Sequence, residues 1–102
     1  MSIKKQYLKT KPVCKVTFRL HGKQAGGAKR VAVAGEFNGW NPQQTPMRAL
    51  KNGDFKATVD LPKGKEYQYR FILDDQRWYT DKSADKLVHC DFANTENCVV
   101  VV

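Results

Sequence analysis

An all-β, immunoglobulin-like β-sandwich is the fold class this sequence predicts, and three observations predict it. Apolar residues alternate with polar ones in several short runs, the period of a half-buried strand. Gly, Pro, Asn and Asp punctuate those runs at intervals usual for an all-β domain. No segment carries the apolar period of a long amphipathic helix. A chain of 102 residues holds one such domain and leaves no room for a catalytic barrel beside it.

The first strand is predicted over residues 15–20, where Val16, Phe18 and Leu20 alternate with Lys15, Thr17 and Arg19. A loop with Gly22, Gly26 and Gly27 leads to the second, in which Val31 and Val33 alternate with Ala32 and Ala34. The third is opened by Asn52-Gly53 and closed by Pro62-Lys63-Gly64, and sets Phe55, Ala57, Val59 and Leu61 against Lys56, Thr58 and Asp60. In the fourth, Tyr67, Tyr69, Phe71 and Leu73 share one face, and Glu66, Gln68, Arg70 and Ile72 the other. Asp74-Asp75-Gln76 then turns the chain into a short strand over residues 77–80. A polar loop is expected from there to about Asn97, and residues 98–102 form the last strand. The sandwich is placed at residues 13–102, behind a flexible basic arm over residues 1–12.

Charge is distributed unevenly. The net charge is +8, yet residues 1–30 carry nine Lys and Arg with no Asp or Glu, so the remainder is close to neutral. A domain that tracks nucleic acid is expected to spread cations over its binding face, so nucleic acid is not the partner expected here. The longest apolar stretch, residues 99–102, is far too short to cross a bilayer, and the start lacks the apolar core of a secretory signal. Cys14, Cys90 and Cys98 are odd in number and lack the Cys-x-x-Cys spacing of zinc or redox sites. These features lead to the expectation of a cytoplasmic protein with reduced thiols, no cofactor and no metal.

The informative departure from strand patterning is Gly35-Glu36-Phe37-Asn38-Gly39-Trp40-Asn41-Pro42, a turn-rich loop with two large aromatics. If residues 74–76 form a three-residue hairpin loop, Leu73 pairs with Arg77 and Ile72 lies opposite Trp78. Trp78 and Arg70 then share the face turned away from Tyr69 and Phe71. A sugar ring has an apolar C–H face that stacks on indole and a rim of hydroxyls that needs polar partners. Stacking that buries about 100 Å² of apolar area per ring gives about 2.5 kcal/mol for each indole at ~25 cal/mol per Å². The residues alone leave open that Trp78 is instead the core tryptophan of the sandwich and Trp40 a plug for its own loop.

Taken together, Val31-Ala32-Val33-Ala34-Gly35-Glu36-Phe37-Asn38-Gly39-Trp40, Asp60-Leu61-Pro62-Lys63-Gly64, Tyr67-Gln68-Tyr69-Arg70-Phe71, Trp78, Asp81 and Glu96-Asn97-Cys98-Val99-Val100 resemble a known family. It is that of the glycogen-binding module of the AMP-activated protein kinase beta subunit and the amino-terminal domain of isoamylases and branching enzymes. The resemblance spans about residues 13–102. It implies a sandwich of the early-set type that binds α-1,4-linked glucan, with Trp40 and Trp78 as stacking residues and Arg70 contacting hydroxyls. It also carries the loop contacts over to Asn94 and Asn97. Three departures mark the chain: Arg70 stands where the kinase branch usually has lysine, the turn before Arg77 is one residue longer, and the glucan-clasping loop reads Phe92, Asn94 and Glu96-Asn97.

The expected function is therefore non-catalytic binding of an α-glucan by a stand-alone module that targets or regulates a glycogen-metabolising enzyme or a kinase-type partner. Relatives that are enzymes do their chemistry in a separate domain. Glu36, Asp54, Asp74 and Asp75 sit at turns, where local backbone hydrogen bonding is their common role. Ser2, Ser83, His21 and His89 have no nucleophile elbow or zinc motif around them. The alternative is a protein–protein interaction domain of the same fold whose sugar site is vestigial and whose basic arm docks an acidic partner.

Overall fold

In a computed structural model, which describes residues 3–82, 84–90 and 95–102, two antiparallel sheets pack face to face. The strands are β1 (Ile3–Tyr7), β2 (Val13–Leu20), β3 (Val31–Gly35), β4 (Arg48–Ala49), β5 (Phe55–Pro62), β6 (Glu66–Leu73), β7 (Arg77–Tyr79), β8 (Lys86–Cys90) and β9 (Thr95–Val101). The first sheet has the order β1-β2-β5-β4; the second has the order β3-β6-β9-β8, with β7 paired to β6. One helical turn, α1 (Gly22–Ala25), follows β2, and a 3-10 turn, Glu36–Asn38, follows β3. Among the described residues no helix is long and apolar enough to cross a membrane.

Period-two patterning fills the space between the sheets. Cys14, Val16, Phe18 and Leu20 of β2 and Phe55, Ala57 and Leu61 of β5 point inward against Val31, Val33, Tyr69, Phe71, Leu73, Cys98 and Val100. Phe18 is the hub of this layer: its ring centroid lies 4.8 Å from Tyr69, 6.5 Å from Phe71 and 5.7 Å from Phe37. Burial pushes the Cys98 thiol up to about 11, so it sits in the core as a small hydrophobe and not as a nucleophile. Val59 and Tyr67, expected inside, are half-buried at the margin.

Two segments differ from the sequence expectation. Residues 3–7, expected in a flexible arm, form β1 along the edge of β2, in register from Ile3 opposite Phe18 to Tyr7 opposite Cys14. Ile3 is buried, and Lys5 Nζ lies 2.6 Å from Asp85 Oδ2, linking β1 to the approach to β8. Lysines on an edge strand are a common guard against edge-to-edge pairing, so a lysine-rich strand reads as an arm. Within the expected polar loop, residues 86–90 form β8, and β9 already begins at Thr95. The short Leu87-Val88 core of β8 alternates too weakly to stand out in the sequence.

Asp54 joins the end of β2 to the start of β5. Its carboxylate accepts hydrogen bonds from Arg19 Nη2 at 2.7 Å, Arg19 Nε at 3.1 Å and the Gly22 N–H at 2.9 Å. The Arg19 donors first, and then the Gly22 amide, hold this carboxyl at about 2, below the ordinary 3.8. A depressed folded-state value stabilises the fold above the unfolded value, and that stabilisation is lost as pH falls through the folded one. The melting temperature is therefore expected to drop as pH falls from about 4 to about 2. Asp54→Asn should make that drop shallower, as thermal unfolding across the interval will show.

Candidate functional site

The outer face of the second sheet is built by strand register. Ala32, Ile72 and Trp78 lie side by side across β3, β6 and β7. In the next row Arg70 lies opposite Ala34, and Asn97 pairs with Val88 one position on from the Tyr69–Cys98 pair. The expected pairing of Ile72 with Trp78 is present. Trp78 is 43 % exposed, so it is not the core tryptophan of the sandwich.

Two braced turns hold the indoles. In the hairpin between β6 and β7, Asp74 and Asp75 both have positive φ, 52° and 60°, and the Gln76 N–H donates to Leu73 O at 3.1 Å. This is the left-handed pair of a type I′ turn, which Asp tolerates better than most residues. Asp74 Oδ1 accepts the N–H groups of Lys29 at 2.8 Å and Arg30 at 3.0 Å, and the Asp74 N–H donates to Arg30 O at 2.8 Å. The Arg30 amide, followed by that of Lys29, lowers the Asp74 pKa. The Arg30 guanidinium pairs with Asp75.

The loop after β3 is held by Asn38, which is buried. Its Oδ1 accepts the Gly35 N–H at 3.0 Å, and its Nδ2 donates to Val33 O at 3.0 Å and Thr45 Oγ1 at 2.9 Å. Gly35 passes so close to β6 that a Cβ would meet Gln68 O at 2.5 Å and Tyr69 Cβ at 2.7 Å; no larger residue fits. Glu36 Oε1 accepts the Gln68 N–H at 2.7 Å. The chain then turns through Gly39 and Trp40, at φ 66° and 60°, and the Trp40 N–H donates to Gly35 O at 2.9 Å. Tryptophan in the left-handed region costs about 1 to 3 kcal/mol, and such outliers gather at functional sites.

These turns bring the two indoles together. Their ring centroids are 6.4 Å apart and the planes are inclined by 46°. Arg70 Cζ sits 5.4 Å from the Trp78 ring centroid, within cation–π range, and its Nε is buried without a hydrogen-bond partner among the described residues. The result is an angled aromatic surface with guanidinium donors beside it. Inclined rings suit a chain whose successive sugar units turn relative to one another, as those of an α-linked glucan do.

Of the expected site residues, Trp40, Arg70 and Trp78 are thus adjacent. Asn97 is buried on the same sheet, and its Nδ2 donates to Gln68 Oε1 at 3.0 Å; Asn94 lies outside the described residues. The braces Asn38, Glu36 and Asp74 were not singled out from the sequence as site residues. The only signal for Asn38 was its place two residues before Trp40. Asn38→Ala leaves the buried Gly35 N–H and Val33 O without their partner and should cost about 2 to 3 kcal/mol. Glucan retention should weaken with it, and chemical denaturation paired with a binding assay will measure both effects.

A family profile described as the glycogen recognition site of AMP-activated protein kinase matches residues 16–102. The chain belongs to that family. Over 51 residues, 49 % of this chain, it is also 41 % identical to the 1,4-alpha-glucan branching enzyme GlgB 2 of Xanthomonas campestris pv. campestris, in each of two strains. That segment is 7 % of the enzyme's length. A glycogen-recognition domain of this kind is non-catalytic, and glucan binding is the function that the family supports. The family match begins at Val16, within β2, so β1 lies outside it.

Proposed function

We propose that Trp40 and Trp78 stack on consecutive glucose units of an α-1,4-linked glucan while Arg70 donates to their hydroxyls. The observation that carries this reading is the indole pair on an outer sheet face with a guanidinium against one ring. Two stacked rings contribute about 5 kcal/mol at ~25 cal/mol per Å², and lost translational and rotational freedom offsets much of it. Short oligosaccharides are therefore held at about the millimolar level, and avidity raises retention on a branched polymer. Asn97 contributes chiefly by fixing Gln68 beside the site, and Asn94 keeps the glucan contact that the family resemblance gives it. The partner beyond the polysaccharide is an enzyme of α-glucan metabolism, a reading supported by the branching enzyme that carries a similar segment.

Electrophoretic retardation in native gels containing glycogen or amylopectin, with dextran as control, tests this reading. Retardation by the α-1,4 polymers alone is expected. Because a glucan is neutral, retention should change little between low and moderate salt, whereas binding that depends on charge weakens as counterions compete. Equal retardation in dextran, or loss of retention at moderate salt, would count against the assignment.

A further inference from the structure

The sandwich has a second outer face, that of the first sheet, and three basic side chains of the amino-terminal third gather there with two from farther along the chain. Register puts Lys4 and Gln6 of β1, Lys15, Thr17 and Arg19 of β2, Lys56, Thr58 and Asp60 of β5 and Arg48 of β4 on this side. Asp60 is the one carboxylate among these paired positions, and Asp54 lies against Arg19 at the end of the face. Arg48, Lys56 and Arg19 form a single row across three neighbouring strands. Of these, only Arg19 is ion-paired among the described residues, to Asp54; Lys4, Lys15, Arg48 and Lys56 are exposed and make no salt bridge with any described carboxylate.

Like charges placed directly opposite across strands destabilise a sheet. The directly opposed Arg48 and Lys56, neither of them ion-paired among the described residues, therefore lower the stability of the isolated domain, and that cost is offset once carboxylates of a partner lie against them. We infer that the outer face of the first sheet docks a protein partner that presents a flat acidic surface. A second copy of this chain does not fit, because face-to-face pairing would set cations against cations. Nucleic acid is disfavoured because no residue of the face is aromatic, so bases would have nothing to stack on. The face lies on the opposite side of the sandwich from Trp40 and Trp78, so both surfaces can be occupied together.

The test uses the full chain with poly-L-glutamate as probe, read by titration at low salt and by backbone amide shifts. Shifts are expected along β1, β2 and β5. Arg48→Gln with Lys56→Gln should weaken probe binding at least about tenfold and raise the melting temperature, because the cross-strand repulsion is relieved. Lys65→Gln with Lys82→Gln removes the same charge away from the face and should weaken binding by less than about threefold. Glycogen retention should be unchanged in both double variants, so failure of the docking face is distinguishable from failure of the sugar site. Equal weakening by the two pairs would show that net charge alone acts and would overturn the proposal. So would a lower melting temperature with unchanged binding in the first pair, or tighter binding of oligo(dT) of matched charge than of polyglutamate.

Discussion

Tyr69→Ala is expected to destabilise the domain by about 3 to 5 kcal/mol, the range for removing a large buried ring, which is a large part of a small domain's stability. Tyr69 has no solvent exposure and touches both Phe18 and Phe71, at centroid distances of 4.8 and 5.7 Å. It also pairs with Gly35 of the neighbouring β3, so its loss loosens the loop that carries Trp40. The hydroxyl behaves differently from the ring. It is buried without a hydrogen-bond partner among the described residues, and burial raises its pKa far above the usual range. Tyr69→Phe removes an unsatisfied polar atom and keeps the packing, so it should be neutral or stabilising by about 1 kcal/mol. Urea unfolding of the two variants checks the pair; a strongly destabilised Tyr69→Phe would show that the hydroxyl is bonded after all.

The other large effect is on binding. Trp78→Ala should abolish retention on α-glucan polymers, since about 2.5 kcal/mol per stacked ring corresponds to well over tenfold in affinity. The residue is 43 % exposed on a three-residue strand, so stability should stay within about 0.5 kcal/mol of the parent. For Trp40 the informative change is to glycine. The residue sits at φ 60°, so Trp40→Gly removes the ring and the left-handed backbone cost together. Retention should vanish while thermal stability holds or rises. A melted Trp78→Ala would mark that indole as structural, and retained binding in either variant would remove it from the site.

Legibility in the sequence followed the strength of local patterning. β2, β3, β5 and β6 alternate cleanly, and hairpin arithmetic from Asp74-Asp75-Gln76 placed Trp78 opposite Ile72, as observed. β1 was hidden because its identity depends on a neighbour: Lys4 and Lys5 become strand residues only when β2 offers its edge. The same applies to β8, which is defined by β9. At the site, aromatic residues in an otherwise polar loop announced themselves. The braces did not, because the value of Asn38 lies in three hydrogen bonds to Gly35, Val33 and Thr45, partners that only the folded chain brings within reach. Nor did the convergence of Arg48 and Lys56 with Arg19, which depends on the pairing of β4, β5 and β2.

The two braces also set how binding proceeds in time. Asn38 fixes the Trp40 loop and Asp74 fixes the Trp78 hairpin entirely through contacts within the chain, so neither indole waits for a ligand to be put in place. Little ordering then accompanies association, and arrival is governed by diffusion and orientation instead of a conformational step. Substitutions at Trp40, Arg70 or Trp78 should consequently shorten the residence time of a glucan chain while leaving its association rate nearly unchanged. Loosening Asn38 should slow association as well, because the loop must then find its shape with the sugar already at hand.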